Sequence, residues 1–251
     1  MHRPSKKKPQ KEEKSPSLSA LESDLAALAD PVKAKILARF FKTGQGEYGE
    51  GDRFLGITVP LQRGVAKKYR ALPLAEIEKL LASAVHEHRF TALEILVMQY
   101  EAGDEKAQEK IFKFYLKQTG KINNWDLVDT SARYIVGRHL FNRDRALLYK
   151  LANSKSLWER RIAIVSTHYF ISQGDVTDTF RLAEVLMGDR HDLIHKAVGW
   201  MLREAGKKSP VALLRFLDEY APAMPRTMLR YAIERLEPAE RRLYLNLKAL
   251  D

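Results

Sequence analysis

The residues of this sequence best suited to chemistry lie between Asn123 and Arg133, in the segment NNWDLVDTSAR. Trp125 and Asp129 are four positions apart, and residues four apart on a helix project from the same face. An indole and a carboxylate would then stand side by side on one ridge. The segment is therefore a candidate for a small active site that needs a second surface opposite it.

Two structural interpretations compete with a site at this segment. Asp129 and Arg133 are also four positions apart, which is the usual spacing of a surface ion pair on a helix. Trp125, Trp158 and Trp200 are the three tryptophans of the chain, and a helical tryptophan is more often a large core residue than a site residue. Periodicity by itself therefore favours the ion pair and the core.

Helices must position these residues, because apolar residues recur at helical spacing from Pro60 onward. No stretch shows sustained two-residue alternation bounded by hairpin turns, so we predict an all-α fold. Two short helices packed together are expected between positions 18 and 41. The later predicted helices span 60 to 70, 74 to 83, 86 to 101, 105 to 118, 124 to 138, 143 to 152, 157 to 172, 177 to 187, 191 to 205, 210 to 220, 225 to 235 and 238 to 249.

The helix starts near 86, 123, 156 and 191 fall about 35 residues apart, which approaches the period of HEAT-type helical repeats. Each start is followed by a second helix. Stacked helix pairs form a solenoid whose inner helices line a concave groove. We therefore predict an α-solenoid of degenerate HEAT-like helical repeats, with Trp125, Trp158 and Trp200 on its inner helices.

Two segments are expected to lie outside the helices. Residues 1 to 17 are rich in Lys, Ser and Pro and should form a disordered basic tail, which leaves 18 to 251 as a single domain. Residues 43 to 56, TGQGEYGEGDRFLG, contain five of the 13 glycines and should form a loop. No Gly-Lys-Ser or Gly-Lys-Thr follows in that loop, so a connector is favoured over a phosphate-binding loop.

The charge of the chain favours a polyanionic partner such as nucleic acid. The 251 residues carry a formal net charge of +11. The tail holds six cations against two carboxylates, so it contributes +4 and leaves +7 on the rest of the chain. We therefore expect the concave groove to be basic. A merely soluble surface with a charged tail is the alternative.

Composition also excludes several classes of protein and site. The chain has no cysteine, which rules out disulfides, thiolate metal sites and a cysteine nucleophile and favours a cytoplasmic protein. No apolar run approaches the roughly 20 residues of a membrane span, and no secretory signal is evident. His191 and His195 have the spacing of a zinc-binding helix but lack the glutamate that accompanies it and a third ligand. We expect no metal and no cofactor.

Four segments give the chain a resemblance to the AlkD-type DNA alkylation repair family, which are HEAT-like-repeat DNA glycosylases. They are WDLVD at 125 to 129, WERR at 158 to 161, HKAVGWMLRE at 195 to 204 and FLGITVPLQR at 54 to 63. Their order and spacing fit as well, and the similarity runs from about Leu18 to the C-terminus. The Val-Gly-Trp-x-Leu-Arg-Glu pattern is the most specific of the matches.

The resemblance implies a role for four residues of this sequence. Asp129 matches the catalytic aspartate of the family, and Trp125 matches the aromatic residue one turn before it. Arg161 matches the groove arginine, which would hold a phosphate near the lesion. Trp200 matches the second groove tryptophan. Arg160 competes for the arginine role, but neighbouring helical residues point about 100° apart, so only one of the two can face the groove.

The function implied by the resemblance is a monofunctional glycosylase that removes N3- or N7-alkylated purines from duplex DNA in base excision repair. We expect a monomer that acts in the cytoplasm and associates with the nucleoid when bound to DNA. One alternative is a non-catalytic DNA-binding relative that recognises branched, bent or damaged DNA by shape and phosphate contacts. Another is a scaffold for protein interactions, in which a basic groove would be incidental.

Overall fold

The computed structural model describes residues 17 to 247 and shows an all-α, solenoid-like fold, as predicted. Residues 1 to 16 of the predicted tail and the end of the last predicted helix lie outside the described residues. In chain order the α-helices are α1 (Leu18–Ala26), α2 (Pro31–Phe40), α3 (Val59–Lys68), α4 (Leu74–Leu81), α5 (His86–Ala102), α6 (Glu105–Lys117), α7 (Trp125–Ala132), α8 (Arg138–Leu140), α9 (Ala146–Ala152), α10 (Leu157–Ser172), α11 (Thr177–Leu186), α12 (Asp192–Lys208), α13 (Pro210–Tyr220), α14 (Arg226–Ala232) and α15 (Pro238–Asn246). A 3₁₀ turn spans Thr119–Lys121, and a π-helical turn, Arg133–Gly137, joins α7 to α8.

Short polar side chains begin several helices at the positions where the sequence places them. Asp30 caps α2 by accepting amide hydrogen bonds from Val32 and Lys33, both at 3.0 Å. Ser156 caps α10 by accepting one from the amide of Glu159 at 3.4 Å. Such caps satisfy amides that have no partner within the helix. The beginnings of these helices are therefore set by local sequence.

The centre of the fold is a ladder of α5, α7, α10, α12 and α14, each packed against the next. An outer layer of α4, α9, α11 and α13 packs against this ladder. Residues 162 to 165 of α10 are all fully buried. Four consecutive residues point around the whole circumference of a helix, so α10 is enclosed on every side. In the part of the chain from 17 to 247, no helix is long and apolar enough to cross a bilayer.

The π-helical turn after α7 packs closely against α10. A Cβ atom built on Gly137 would lie 2.2 Å from the carbonyl oxygen of Ser166. A larger residue would therefore force the two helices apart, because the packed interior leaves no room for the added atom. Asp129 lies on α7 and Arg161 on α10, so this contact helps to fix the separation of the two side chains.

The first two helices form where predicted but do not pack together as the expected pair. α1 buries Leu21 and Leu25 and packs mainly against α3, α4 and α5. α2 buries none of its residues, and Val32, Ile36 and Phe40 are each at least 60% exposed. Apolar spacing predicts a helix but leaves open which surface the helix meets. In this fold the end of α2 reaches a cleft above the central helices.

Candidate active site

A cleft of about 580 Å³ lies over α7, α10 and α12. Trp125, Asp129, Arg161 and Trp200, the four residues selected from the sequence, all line it. The segment after α2 forms part of its wall. Small-molecule sites in proteins measure roughly 300 to 1,000 Å³, so the cleft has room for a group the size of a nucleoside. Further lining residues include Phe40, Lys42, Tyr48, Lys196, Arg203 and Tyr231.

Asp129 and Arg161 form a two-point ion pair within this cleft. Arg161 donates from Nε to Oδ1 of Asp129 at 2.9 Å and from Nη2 to Oδ2 at 2.7 Å. Its Nη1 donates to the carbonyl oxygen of Leu193 at 2.6 Å. The Arg161 side chain is 6% exposed, whereas that of Asp129 is 19% exposed. A carboxylate has about four lone-pair positions, so Asp129 keeps acceptor capacity for a ligand while the arginine holds it.

This geometry favours a role for Arg161 that differs from the phosphate contact implied by the resemblance. Each of its three nitrogens already has a partner within the protein, and little of its surface is accessible. The phosphate contact stays a prediction. The structure also identifies Arg161 as the ion-pair partner of Asp129, in place of Arg133, which the four-residue spacing suggested. The guanidinium of Arg133 lies 4.7 Å from the ring centre of Tyr134.

Burial is the strongest influence on the Asp129 carboxyl and raises its pKa above the usual value of 3.8. The charge and hydrogen bonds of Arg161 act in the opposite direction without cancelling the effect, and the charge of Asp126 raises the pKa further. A negative charge that is poorly solvated by water interacts more strongly with a nearby positive charge. Asp129 is therefore suited to a cationic ligand.

Trp125 begins α7 and rests on an aromatic stack. Its ring lies nearly parallel to that of Phe41, with an interplanar angle of 11° and centroids 5.1 Å apart. Phe40 meets the indole edge-on at 6.0 Å. The backbone is held as well, because Asn124 accepts a hydrogen bond from the Trp125 amide at 2.8 Å. The indole is thus fixed before any ligand arrives.

The other two tryptophans differ in their relation to the cleft. Trp200, on α12, lines it and packs against His168, with ring centroids 5.7 Å apart. Trp158 is partly buried against the core and meets Tyr48 edge-on at 6.1 Å. Since Tyr48 lines the cleft, Trp158 supports a lining residue from behind.

The glycine-rich segment, expected to be a connector, forms part of the cleft wall. Lys42 has φ 52°, a conformation that residues with side chains rarely adopt. The amide of Gly49 donates to the Lys42 carbonyl at 3.0 Å, and a Cβ on Gly49 would lie 2.3 Å from the carbonyl oxygen of Phe41. This tight reversal places Lys42 and Tyr48 in the cleft. In the sequence, the one feature that pointed to a role of this segment in the cleft was a tyrosine, Tyr48, within a run of glycines.

The lining of the cleft has a positive balance. Its charged side chains are Lys42, Arg161, Lys196 and Arg203 against Asp129 and Asp192. Lys196 pairs with Asp192 at 2.7 Å, and Arg203 pairs with Glu204 and Glu234. Lys42 is the lining cation that lies outside these ion pairs, so it is the residue of the lining best suited to attract a polyanion.

Arg160, outside the cleft lining, and His191, within it, have structural partners of their own. Arg160 donates to Asp189 at 2.6 Å and to two backbone carbonyls at 3.0 Å. His191 accepts from the amide of Leu193 at 3.1 Å, at the start of α12. Among residues 17 to 247, no group of three or more histidine and acidic side chains is arranged to hold a metal ion.

Comparison with known proteins points to one family. A family model described as DNA alkylation repair enzyme matches residues 21–236. Among solved structures, the chain is similar to one described as a predicted DNA alkylation repair enzyme from Enterococcus faecalis, with a TM-score of 0.65 and 16% sequence identity. The match covers 84% of this chain and 97% of that one. At this identity the likeness concerns the fold. No curated protein matches the sequence.

Proposed function

The chain belongs to the family of DNA alkylation repair enzymes, and from that premise we propose that it is a DNA glycosylase for cationic purines. Its substrates are N3- or N7-alkylated purines in duplex DNA, and its reaction is hydrolysis of the N-glycosidic bond. The product is an abasic site, the entry point of base excision repair. The observation that carries the proposal is the Asp129 carboxylate, held by Arg161 in a cleft walled by Trp125 and Trp200.

The chemistry of the substrate explains why one carboxylate is sufficient. A purine alkylated at N3 or N7 is already cationic, so its glycosidic bond breaks without a proton from the enzyme. The bonding electron pair leaves with the base, which departs as a neutral molecule, and positive charge develops on the deoxyribose. Asp129, placed beside C1′, stabilises that charge, as carboxylates do in other glycosyl transfers.

Water completes the reaction. The Asp129 carboxylate orients a water molecule toward C1′, the new C–O bond forms, and the water proton is released to solvent by way of that carboxylate. Arg161 keeps both carboxylate oxygens in place during these steps. Catalytic groups that are already positioned lower the barrier, because no reorganisation is needed when the charge develops.

The aromatic residues and cations of the cleft serve binding in this proposal. Trp125 and Trp200 offer apolar faces to the sugar and π-faces to the cationic base. Lys42, the lining cation outside the ion pairs of the cleft, attracts the DNA backbone. The reaction as proposed needs no cofactor, because substrate and water supply every atom of the products.

The decisive experiment measures release of alkylated bases from methylated duplex DNA by wild type, Asp129→Asn and Asp189→Asn. Asp189 is a matched control, because it pairs with Arg160 at 2.6 Å much as Asp129 pairs with Arg161 at 2.7 Å, and it belongs to no part of the cleft lining. Removal of one group that stabilises developing charge costs about 3 to 4 kcal/mol. We therefore expect Asp129→Asn to lose about 100- to 1,000-fold in rate and still bind DNA.

Three outcomes would contradict the proposal. Full activity of Asp129→Asn would exclude the mechanism, and equal losses in Asp129→Asn and Asp189→Asn would indicate a general effect on folding. Salt-sensitive DNA binding by wild type, without base release, would instead support the non-catalytic DNA-binding alternative.

A further inference from the structure

His86 lies in a buried polar cluster that contacts Asp126, the residue after Trp125. Its side chain is 3% exposed, and each ring nitrogen faces a carboxylate. Nδ1 lies 3.0 Å from Oδ2 of Asp52, and Nε2 lies 2.7 Å from Oδ2 of Asp126. Both carboxylate oxygens are acceptors, so both ring nitrogens must donate. A neutral imidazole has one N–H, whereas an imidazolium has two. The cluster therefore holds His86 in its charged form.

The surroundings of His86 agree with that charge. Burial by itself disfavours the imidazolium, but the charge of Asp126 and the hydrogen bonds to Asp126 and Asp52 outweigh it and raise the pKa of His86 to about 9. Arg89 opposes this rise through its own charge and donates to the other oxygen of Asp52 at 2.6 Å. The neighbouring Glu87 is occupied by backbone amides of the 55 to 57 segment.

Three connections join this cluster to Trp125. Asp126, which follows Trp125, binds His86 directly. Asn124, which precedes it, donates to Asp52 at 3.2 Å while capping α7. Phe41 packs against both rings, 4.9 Å from that of His86 and 5.1 Å from that of Trp125. The first turn of α7 is therefore held by groups that contact either the imidazolium or its partner Asp52.

We propose that His86 is a positioning residue for the glycosylase site. As an imidazolium it bridges Asp52 and Asp126 and so fixes Trp125 and the first turn of α7, one turn before Asp129. This inference rests on the proposed function for its effect on catalysis. The structural link from His86 to Trp125 is independent of that function and can be measured separately.

Loss of the imidazolium proton has a defined consequence. A neutral ring would leave one nitrogen lone pair facing a carboxylate oxygen, and the two would repel. The contact to Asp52 or that to Asp126 would then open. In Asp126→Asn the new amide donates to the neutral ring nitrogen, while the other nitrogen still donates to Asp52. That variant therefore keeps both contacts after the proton is gone.

The test follows the ring nitrogens of His86 and the indole N–H of Trp125 by ¹⁵N NMR of the full chain between pH 6 and 10.5. Trp125→Phe identifies the indole signal. We expect the Trp125 signal to move with the titration of His86, with a midpoint near the pKa of about 9. In Asp126→Asn the Trp125 signal should stay in place from pH 7 to 10. A Trp125 signal that does not follow His86 in the wild type overturns the inference.

His139→Gln provides a matched control. His139 is also a buried histidine with a carboxylate partner, Glu109, at 3.1 Å, and it stacks on Phe112 away from the cleft lining. This substitution should leave the midpoint of the Trp125 signal unchanged. Loss of the Trp125 titration in His139→Gln, as expected in Asp126→Asn, would contradict a specific role for His86.

Base release from saturating lesion DNA gives the second readout, with spontaneous release subtracted. Above the His86 midpoint we expect the wild-type rate to fall about tenfold per pH unit, as for loss of one essential proton. In Asp126→Asn this alkaline decline of the rate should be absent. An identical alkaline limb in both proteins overturns the inference. If the wild type releases no base at any pH, the proposed function fails, and the NMR titration still decides the positioning role.

Discussion

Arg161 binds both carboxylate oxygens of Asp129 from α10, a neighbouring helix, 32 positions further along the chain. The adjacent Arg160 pairs with Asp189 at a similar distance, but the Asp189 side chain is 6% exposed whereas that of Asp129 is 19% exposed. Of these two arginine–aspartate pairs, the Asp129 pair alone lines the cleft. The pair of Asp129 and Arg161 therefore combines a fixed geometry with access for a ligand.

Arg161→Lys separates the positioning of Asp129 from phosphate binding. Lysine retains the charge but loses the planar two-point contact, so we expect the single-turnover rate to fall about 10- to 100-fold. Affinity for duplex DNA that carries an abasic-site analogue should change less than about twofold. Weaker binding, with a salt dependence reduced by one phosphate contact, would instead favour the phosphate role that the resemblance implies.

The acid limb of the pH profile should report Asp129. The mechanism needs the ionised carboxylate, and burial raises its pKa above 3.8. Activity should therefore decline as the pH falls through a midpoint higher than that of an ordinary aspartate. Since the charge of Asp126 also raises this pKa, Asp126→Asn should move the limb to lower pH. Single-turnover rates between pH 4 and 8 would test this, and an unmoved limb would exclude Asp129 as its source.

The stability of the folded protein should fall at alkaline pH because of His86. Its pKa is raised from 6.5 to about 9 on folding, so its contribution is fully present below pH 6.5 and is lost as the pH rises through 9. This shift corresponds to about 3 kcal/mol. Urea unfolding of wild type and His86→Gln should show a difference in free energy that shrinks over this window. A constant difference would contradict the raised pKa.

The tryptophans should determine the preference for a cationic base. A cation–π contact contributes about 0.5 to 2 kcal/mol, so Trp200→Ala should reduce the preference for a charged over a neutral base analogue about 2- to 30-fold. Trp200→Phe should lose less, since it keeps a ring. Trp158→Phe is the control, because Trp158 lies behind Tyr48. Equal effects at positions 158 and 200 would argue against direct contact with the base.

Local sequence accounts for the helices of this protein. Apolar spacing, the Asp30 and Ser156 caps, and the prolines that begin α13 and α15 each act within a few residues. These features act between residues that are close in sequence, so the helices can be predicted from them without knowledge of the tertiary structure. The resemblance added four site residues, and the structure places all four in one cleft.

Tertiary structure decided which side chains meet. The sequence offered Arg133 as the partner of Asp129 because the two share a helical face, but the packing of α7 on α10 brings Arg161 there instead. The tertiary fold also brings His86, at the start of α5, to Asp52 and Asp126, which are 34 and 40 positions away. Periodicity determines the apolar face of a helix, but not the helix that packs against it. The sequence alone therefore predicted the elements and the candidate residues, and only the packing of distant helices determined their partners, burial and charge states.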